Sequence, residues 1–160
     1  MDPAPLPPRR PTDSHVVMTE IVMPEDTNHF GDIFGGRVLA LVDKAGAVAA
    51  IRHCRREVLT ASIDSVDFLS SVKEGWILTL EAEVQAAFHS SMEVGVEVWA
   101  ENPLSGERRQ TCRAFLTLVA IGPEGRPVVV PPLAPETPEQ HRRAEAASER
   151  RRQRMERIGR

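Results

Sequence analysis

Residues Asn28 to Ala50, NHFGDIFGGRVLALVDKAGAVAA, decide how the rest of the chain is read. A polar, glycine-rich turn runs into an almost wholly apolar helix that carries one acid, Asp43. Gly36, Ala40, Asp43, Ala47 and Ala50 recur at steps of three and four, so they share one helical face. That face is small-sided. The others carry Val38, Leu39, Leu41, Val42 and Val48, and a helix that is apolar nearly all round is expected to be buried.

An ionised carboxylate is costly to bury, so Asp43 needs a partner, water or a chemical role. Among apolar neighbours, proton transfer is a role that would account for it. Ala40 and Ala47, about one turn to either side, leave room for a substrate. The structural alternative is that Asp43 pairs with a buried Arg or caps a neighbouring segment. Lys44 is not the obvious partner, because it lies about 100° round the helix.

On either side of this helix the chain reads as strands. Ser14 to Met23 is β-branched and apolar, and Pro24 breaks it. The helix is expected from Gly35 or Gly36 to about His53. Next comes VLTASIDSVDFL, whose alternation is clear from Leu59 to Ile63 and then mixed. Trp76 to Phe88 alternates throughout, with Thr79, Glu81, Glu83 and Gln85 on its wet side. Met92, Val94, Val96 and Val98 alternate against Glu93 and Glu97. Gln110 to Ile121 reads as a strand covered on both sides, and PVVV (127–130) as a short last strand. Period-two patterning of this kind means an antiparallel sheet, and no strand–helix alternation supports a doubly wound fold. The expected architecture is α+β, a curved antiparallel sheet wrapped around one long central helix.

The chain has 160 residues and a formal net charge of −3, which fits one domain with tails and argues against nucleic acid as its main partner. Residues 1–13, rich in Pro and Arg, read as a disordered arm. Residues 14–130 form the domain. Residues 131–160 read as a Pro-rich linker followed by a charged, Arg-rich helix or disordered tail, in which interspersed Glu145, Glu149 and Glu156 make a solvated helix the default. Cys54 and Cys112 are too few for a disulfide framework, the N-terminus has no secretory apolar region, and no apolar run is long enough for a membrane span. A soluble, cytoplasmic protein is expected. The histidines and cysteines show no metal-ligand spacing, and there is no Gly-x-Ser-x-Gly nucleophile elbow.

Three stretches together resemble a known family: MPEDTNHFGDIFGGRVLALVDKAGAVAA (23–50), TASIDSVDFLSSVKEG (60–75) and HSSMEVGVEVWAENPLSGERRQTCRAFLTLVAIG (89–122). They are similar to the acyl-CoA thioesterases of the YciA type within the hotdog superfamily, whose sheet wraps a central helix. The match covers about 14–130, and its first stretch is the specific one. The resemblance implies hydrolysis of an acyl-CoA thioester to free acid and CoA, with no metal or redox cofactor. It also implies a homodimer with shared active sites, often a homohexamer built as a trimer of dimers.

Under this resemblance Asp43 is the general base or nucleophile. Gly35 and Gly36, about two turns earlier, stand where free helix N–H groups can hold a developing oxyanion. Asn28 matches a polar position that the family places near the acid, across the dimer interface; an Asx turn is the alternative. His89, Ser90 and Ser91 match the hairpin that the family uses near CoA. Here Phe88-His89 replaces the usual Gly followed by Arg or Lys, so a fixed positive charge is missing and a plain polar turn is the alternative. Two further classes remain open: a non-catalytic acyl-CoA-binding sensor, and a hotdog hydratase or dehydratase, whose usual acid and histidine pairing is not visible near Asp43.

Overall fold

The structure is a computed structural model that describes residues 4–160. Five strands, β1 (Val16–Ile21), β2 (Glu57–Phe68), β3 (Ile77–Ala87), β4 (Ser91–Glu101) and β5 (Arg108–Ile121), form one antiparallel sheet in the order β1-β3-β4-β5-β2. The long helix α1 (Gly35–Cys54) lies on the inner, concave face, and a second helix, α2 (Pro138–Arg157), packs against the outer one. The hotdog architecture expected from the resemblance is the one found.

Alternation builds the core. The inward residues of β3, β4 and β5, among them Leu80, Met92, Val96, Leu116 and Leu118, are completely shielded from solvent. They meet Val38, Leu41, Val42, Ala45 and Ala49 of α1. Each large apolar side chain buried this way contributes about 1.5–3 kcal/mol. Gly46 lets α1 settle onto β5, since a Cβ there would lie 3.2 Å from Leu116 Cδ2. The helix ends on Arg55, whose left-handed φ of 53° makes the C-cap turn.

The edge strand β2 is irregular in a useful way. Thr60 pairs with Leu118, but Ser62 pairs with the next residue back, Thr117, so Ala61 is an extra, bulged residue. A slip of one residue exchanges the faces of a strand. Thr60 consequently faces α1, whereas Ser62 and Asp64 face α2. A second irregularity follows between Asp64 and Asp67, where Ser65 has φ 51°.

Three expectations are corrected here. Residues 9–13 are not a disordered arm: Arg9 bridges Leu133 through Arg9 N–Pro132 O and Ala134 N–Arg9 O bonds, both 2.8 Å, and Pro11–Ser14 forms a 3-10 turn. Ser14 is fully buried, and its hydroxyl accepts from Val84 N at 2.9 Å, continuing the β1–β3 pairing by side chain. Residues 1–3 lie outside the described residues. PVVV is not a strand, because it crosses strand ends: Val128 N donates to Ala120 O and Val130 N to His89 O. The Arg-rich segment 138–157 is the helix of the two readings, but it is docked on the sheet rather than solvated all round, and it is started by a Thr137–Gln140 capping box with Pro138 at its first position.

Candidate active site

Site residues gather on the side of α1 that the sheet does not cover. Gly36 and Ala40 are exposed there, and Asp43 is half-buried. The expectation of a helix buried all round is therefore corrected: in a single chain this face is open, with Lys44 and Ile51 beside it also exposed. Asp43 has a partner of its own. Thr60 Oγ1 donates to Asp43 Oδ1 at 2.6 Å, across from β2. That bond fixes one carboxylate oxygen and leaves Oδ2 free to face the open side. Sequence reasoning missed Thr60, because the bulge at Ala61 decides which way it points.

At the head of α1 the N-cap is Phe34, which offers no side-chain oxygen. The N–H groups of Gly35 and Gly36 therefore stand at an uncapped helix N-terminus, where they have no intrahelical partner and carry the positive end of the helix dipole. The two glycines differ. The ring of Phe68 covers Gly35, at 3.3 Å from where a Cβ would sit, whereas nothing approaches within 4 Å of that point on Gly36. Their separation from Asp43 along the helix is about 10 Å for Gly36.

Asn28 is not brought to Asp43 within the chain. Its Oδ1 accepts from Phe30 N at 2.9 Å and Asp32 N at 3.2 Å, the Asx turn weighed as its alternative. Gly31, with φ 78°, completes that turn. The Asn28 side-chain NH2 remains a donor. Asp32 is occupied by Lys73 Nζ at 2.8 Å, and Asp26 by Arg37 Nε at 3.0 Å, which together pin the loop that precedes α1.

His89, Ser90 and Ser91 do form the β3–β4 turn, with His89 exposed. Ser91 pairs with Val119, which pairs with Leu59, so the turn lies in the same row of the sheet as Thr60. Two strand spacings separate them, about 10 Å. A positive charge from α2 lies beside this turn: the Arg151 guanidinium sits 4.7 Å from the Phe88 ring centroid.

Outside this region, a groove of about 460 Å³ lies on the outer face of the sheet, between α2 and the strand residues Glu83, Gly95, Glu97 and Arg113. It does not communicate with Asp43, which is on the other side of the sheet. Among the described residues, no three His, Cys, Asp or Glu side chains cluster as a metal site, and no helix is long and apolar enough to cross a membrane.

The Thioesterase superfamily matches residues 30–107. The uncharacterized acyl-CoA thioester hydrolase YkhA of Bacillus subtilis is 44% identical over 128 residues, covering 80% of this chain and 74% of that one. A cytosolic acyl coenzyme A thioester hydrolase of Rattus norvegicus is 32% identical over 130 residues, and there the match spans only 34% of the relative's length. Among solved structures, an apo-hexameric acyl-CoA thioesterase superposes with a TM-score of 0.91 at 44% identity, covering 96% of this chain and 98% of that one. An acyl-CoA hydrolase from Staphylococcus aureus, in complex with butyryl coenzyme A, coenzyme A and coenzyme A disulfide, has a TM-score of 0.88 at 36% identity, covering 95% and 93%. Further structures of that S. aureus protein carry an Asp, an Asn or a Thr replaced by Ala. The chain belongs to the thioesterase superfamily, among the hotdog-fold acyl-CoA thioester hydrolases.

Proposed function

We propose that this chain hydrolyses acyl-CoA thioesters to free acid and CoA, with Asp43 as general base. The observation that carries this reading is the 2.6 Å Thr60–Asp43 bond at the open face of α1, with uncapped glycine N–H groups two turns away. Thr60 holds one carboxylate oxygen, so the other takes a proton from water as the water adds to the thioester carbonyl. The carbonyl oxygen becomes an oxyanion held by the N–H groups at Gly35 and Gly36. Collapse of the tetrahedral intermediate breaks the C–S bond, and Asp43 returns its proton to the departing thiolate. The rise of about 10 Å from Gly36 to Asp43 is spanned by carboxylate, water and carbonyl in line.

The missing wall of this site is a second copy of the chain. Strand β2 is an unpaired edge, and Phe34, Ile51, Leu59 and Phe68 are exposed around it, an arrangement that favours pairing with an identical edge. In that dimer Asn28 of the partner subunit would bring its free NH2 to the substrate. A trimer of such dimers is the proposed assembly, in line with the hexameric neighbour. His89, Ser90 and Ser91, with Arg151 beside them, are the proposed CoA contacts. The residue types replaced in the S. aureus hydrolase, Asp, Asn and Thr, are those found here at 43, 28 and 60. The cytoplasm, where acyl-CoA is made and used, is the proposed setting.

The test is release of free thiol from short to long acyl-CoAs by wild type and Asp43→Ala. The variant is expected to keep its fold and assembly while turnover falls by about 10²–10⁴-fold. Equal rates from the two proteins would sink the mechanism. Tight acyl-CoA binding without turnover in wild type would favour a sensor instead.

A further inference from the structure

The outer helix α2 touches the strand that holds Thr60. Arg154 donates to Asp64 Oδ2 at 3.1 Å and Arg157 to Asp64 Oδ1 at 3.2 Å, so two guanidiniums grip one carboxylate of β2. Arg154 is only 8% exposed and Asp64 15%. A few residues away, Arg150 bonds Glu93 of β4 through two nitrogens and stacks 3.6 Å over the Phe115 ring of β5. The helix thus ties β2, β4 and β5 together from outside.

The grip falls where β2 is weakest. Between its bulge at Ala61 and the irregularity after Asp64, the strand makes only the pairs Ser62–Thr117, Ile63–Leu116 and Asp64–Phe115. Within the chain only β5 pairs with it, and its other side is the edge left to the proposed dimer partner. If β2 as a whole slipped by one residue along β5, Thr60 would turn away from α1 and Asp43 would lose its donor. Buried ion pairs contribute little net stability against apolar replacements, and their best-attested use is to fix a register. Asp64 is the outward residue that such a slip would carry inward, away from both arginines.

We propose that α2 is a brace that fixes the register of β2, with Arg154 and Asp64 as positioning residues for the Thr60–Asp43 pair. The inference rests on the assignment of Asp43 and Thr60 to catalysis. Arg154 touches neither substrate nor reacting atoms; it acts through the strand.

Two readouts on the full-length chain test it. With butyryl-CoA as substrate, Arg154→Ala is expected to lower kcat by about 10- to 100-fold through misplacement of the carboxylate, with KM little changed. Arg154→Lys, which keeps a charge on Asp64, recovers part of the loss. In a Thr60→Ala background the Arg154→Ala loss disappears, because the positioned group is already gone. Full additivity of the two losses overturns the proposal. The second readout is amide hydrogen exchange: 58–64 exchange faster in Arg154→Ala, while β3 amides keep their protection. Unchanged exchange in β2 overturns the brace whatever the activity. If Arg154→Ala does not fold, Asp64→Asn, which keeps the side-chain volume, is judged by the same two criteria. Absence of turnover in wild type removes the catalytic assignment, and the exchange result still decides whether α2 braces β2.

Discussion

Two helices of the same length, 20 residues each, flank the sheet and are held by opposite physics. On the concave side α1 buries Val38, Leu41, Val42, Ala45 and Ala49 against strands of the same character. On the convex side α2 buries only Ala147 and Arg154, and it is fixed by arginines on Glu93, Asp64, Phe115 and Phe88. Apolar burial is non-directional and scales with area. Charge-assisted bonds are directional and hold one geometry. The first helix therefore makes the fold stable, and the second makes one arrangement of it preferred.

That contrast predicts different penalties. Leu41→Ala should cost about 3–5 kcal/mol, since a packed core collapses only partly around the lost methyls. Urea denaturation at one fixed protein concentration measures it, because the stability of an oligomer depends on concentration. A cost below about 1 kcal/mol would mean that α1 does not anchor the core. On the other face, Glu93 is 2% exposed, and burial pushes its carboxyl above the usual range despite Arg150. Glu93→Gln leaves the guanidinium short of its charged partner and should cost about 2–3 kcal/mol. Adding Arg150→Met should recover most of that loss, as replacing both members of a buried pair does. A double variant as unstable as the single one would place the contribution of α2 in packing and collapse the contrast.

The same physics explains what could be read in the sequence. The helix α1 and strands β3 and β4 were legible because burial writes a local period, 3.6 or 2, into adjacent residues. Asp43 stood out against that period. Thr60 did not, since a single bulged residue at Ala61 sets its direction and β2 loses its phase just beyond Ile63. Glu93 looked like one more wet-face residue in an alternating strand; the helix that covers it begins 45 positions later, at Pro138. The Arg9–Leu133 bridge joins two Pro-rich segments whose composition suggests disorder. The half-exposure of Asp43 reflects a face that one chain leaves open, which no periodicity within one chain records.

A buried polar contact on α1 runs against the comparison between helices, and it carries the smallest predicted effect. His53, at the end of the apolar α1, is fully buried, with Nε2 2.7 Å from Pro131 O. That nitrogen must donate, because a carbonyl only accepts. Nδ1 is buried without a partner among the described residues, so a second proton there would be a buried charge with no compensation from them. Burial accordingly pushes His53 below its ordinary value of 6.5, against the opposing pull of the Pro131 bond; Arg9 adds to the lowering and Asp13 opposes it. With the folded value lowered, the unfolded chain takes up the proton first as pH falls. Stability from this group is therefore present above about pH 6.5 and is lost as pH drops toward the folded value. The raised carboxyl of Glu93 works in the opposite direction, favouring the folded state as pH falls, so wild type alone does not isolate His53. His53→Gln keeps a donor for Pro131 but does not titrate. Thermal midpoints of both proteins at pH 8 and pH 5.5 should show a few degrees more loss in wild type than in the variant. Equal losses would remove His53 as the cause of the pH dependence.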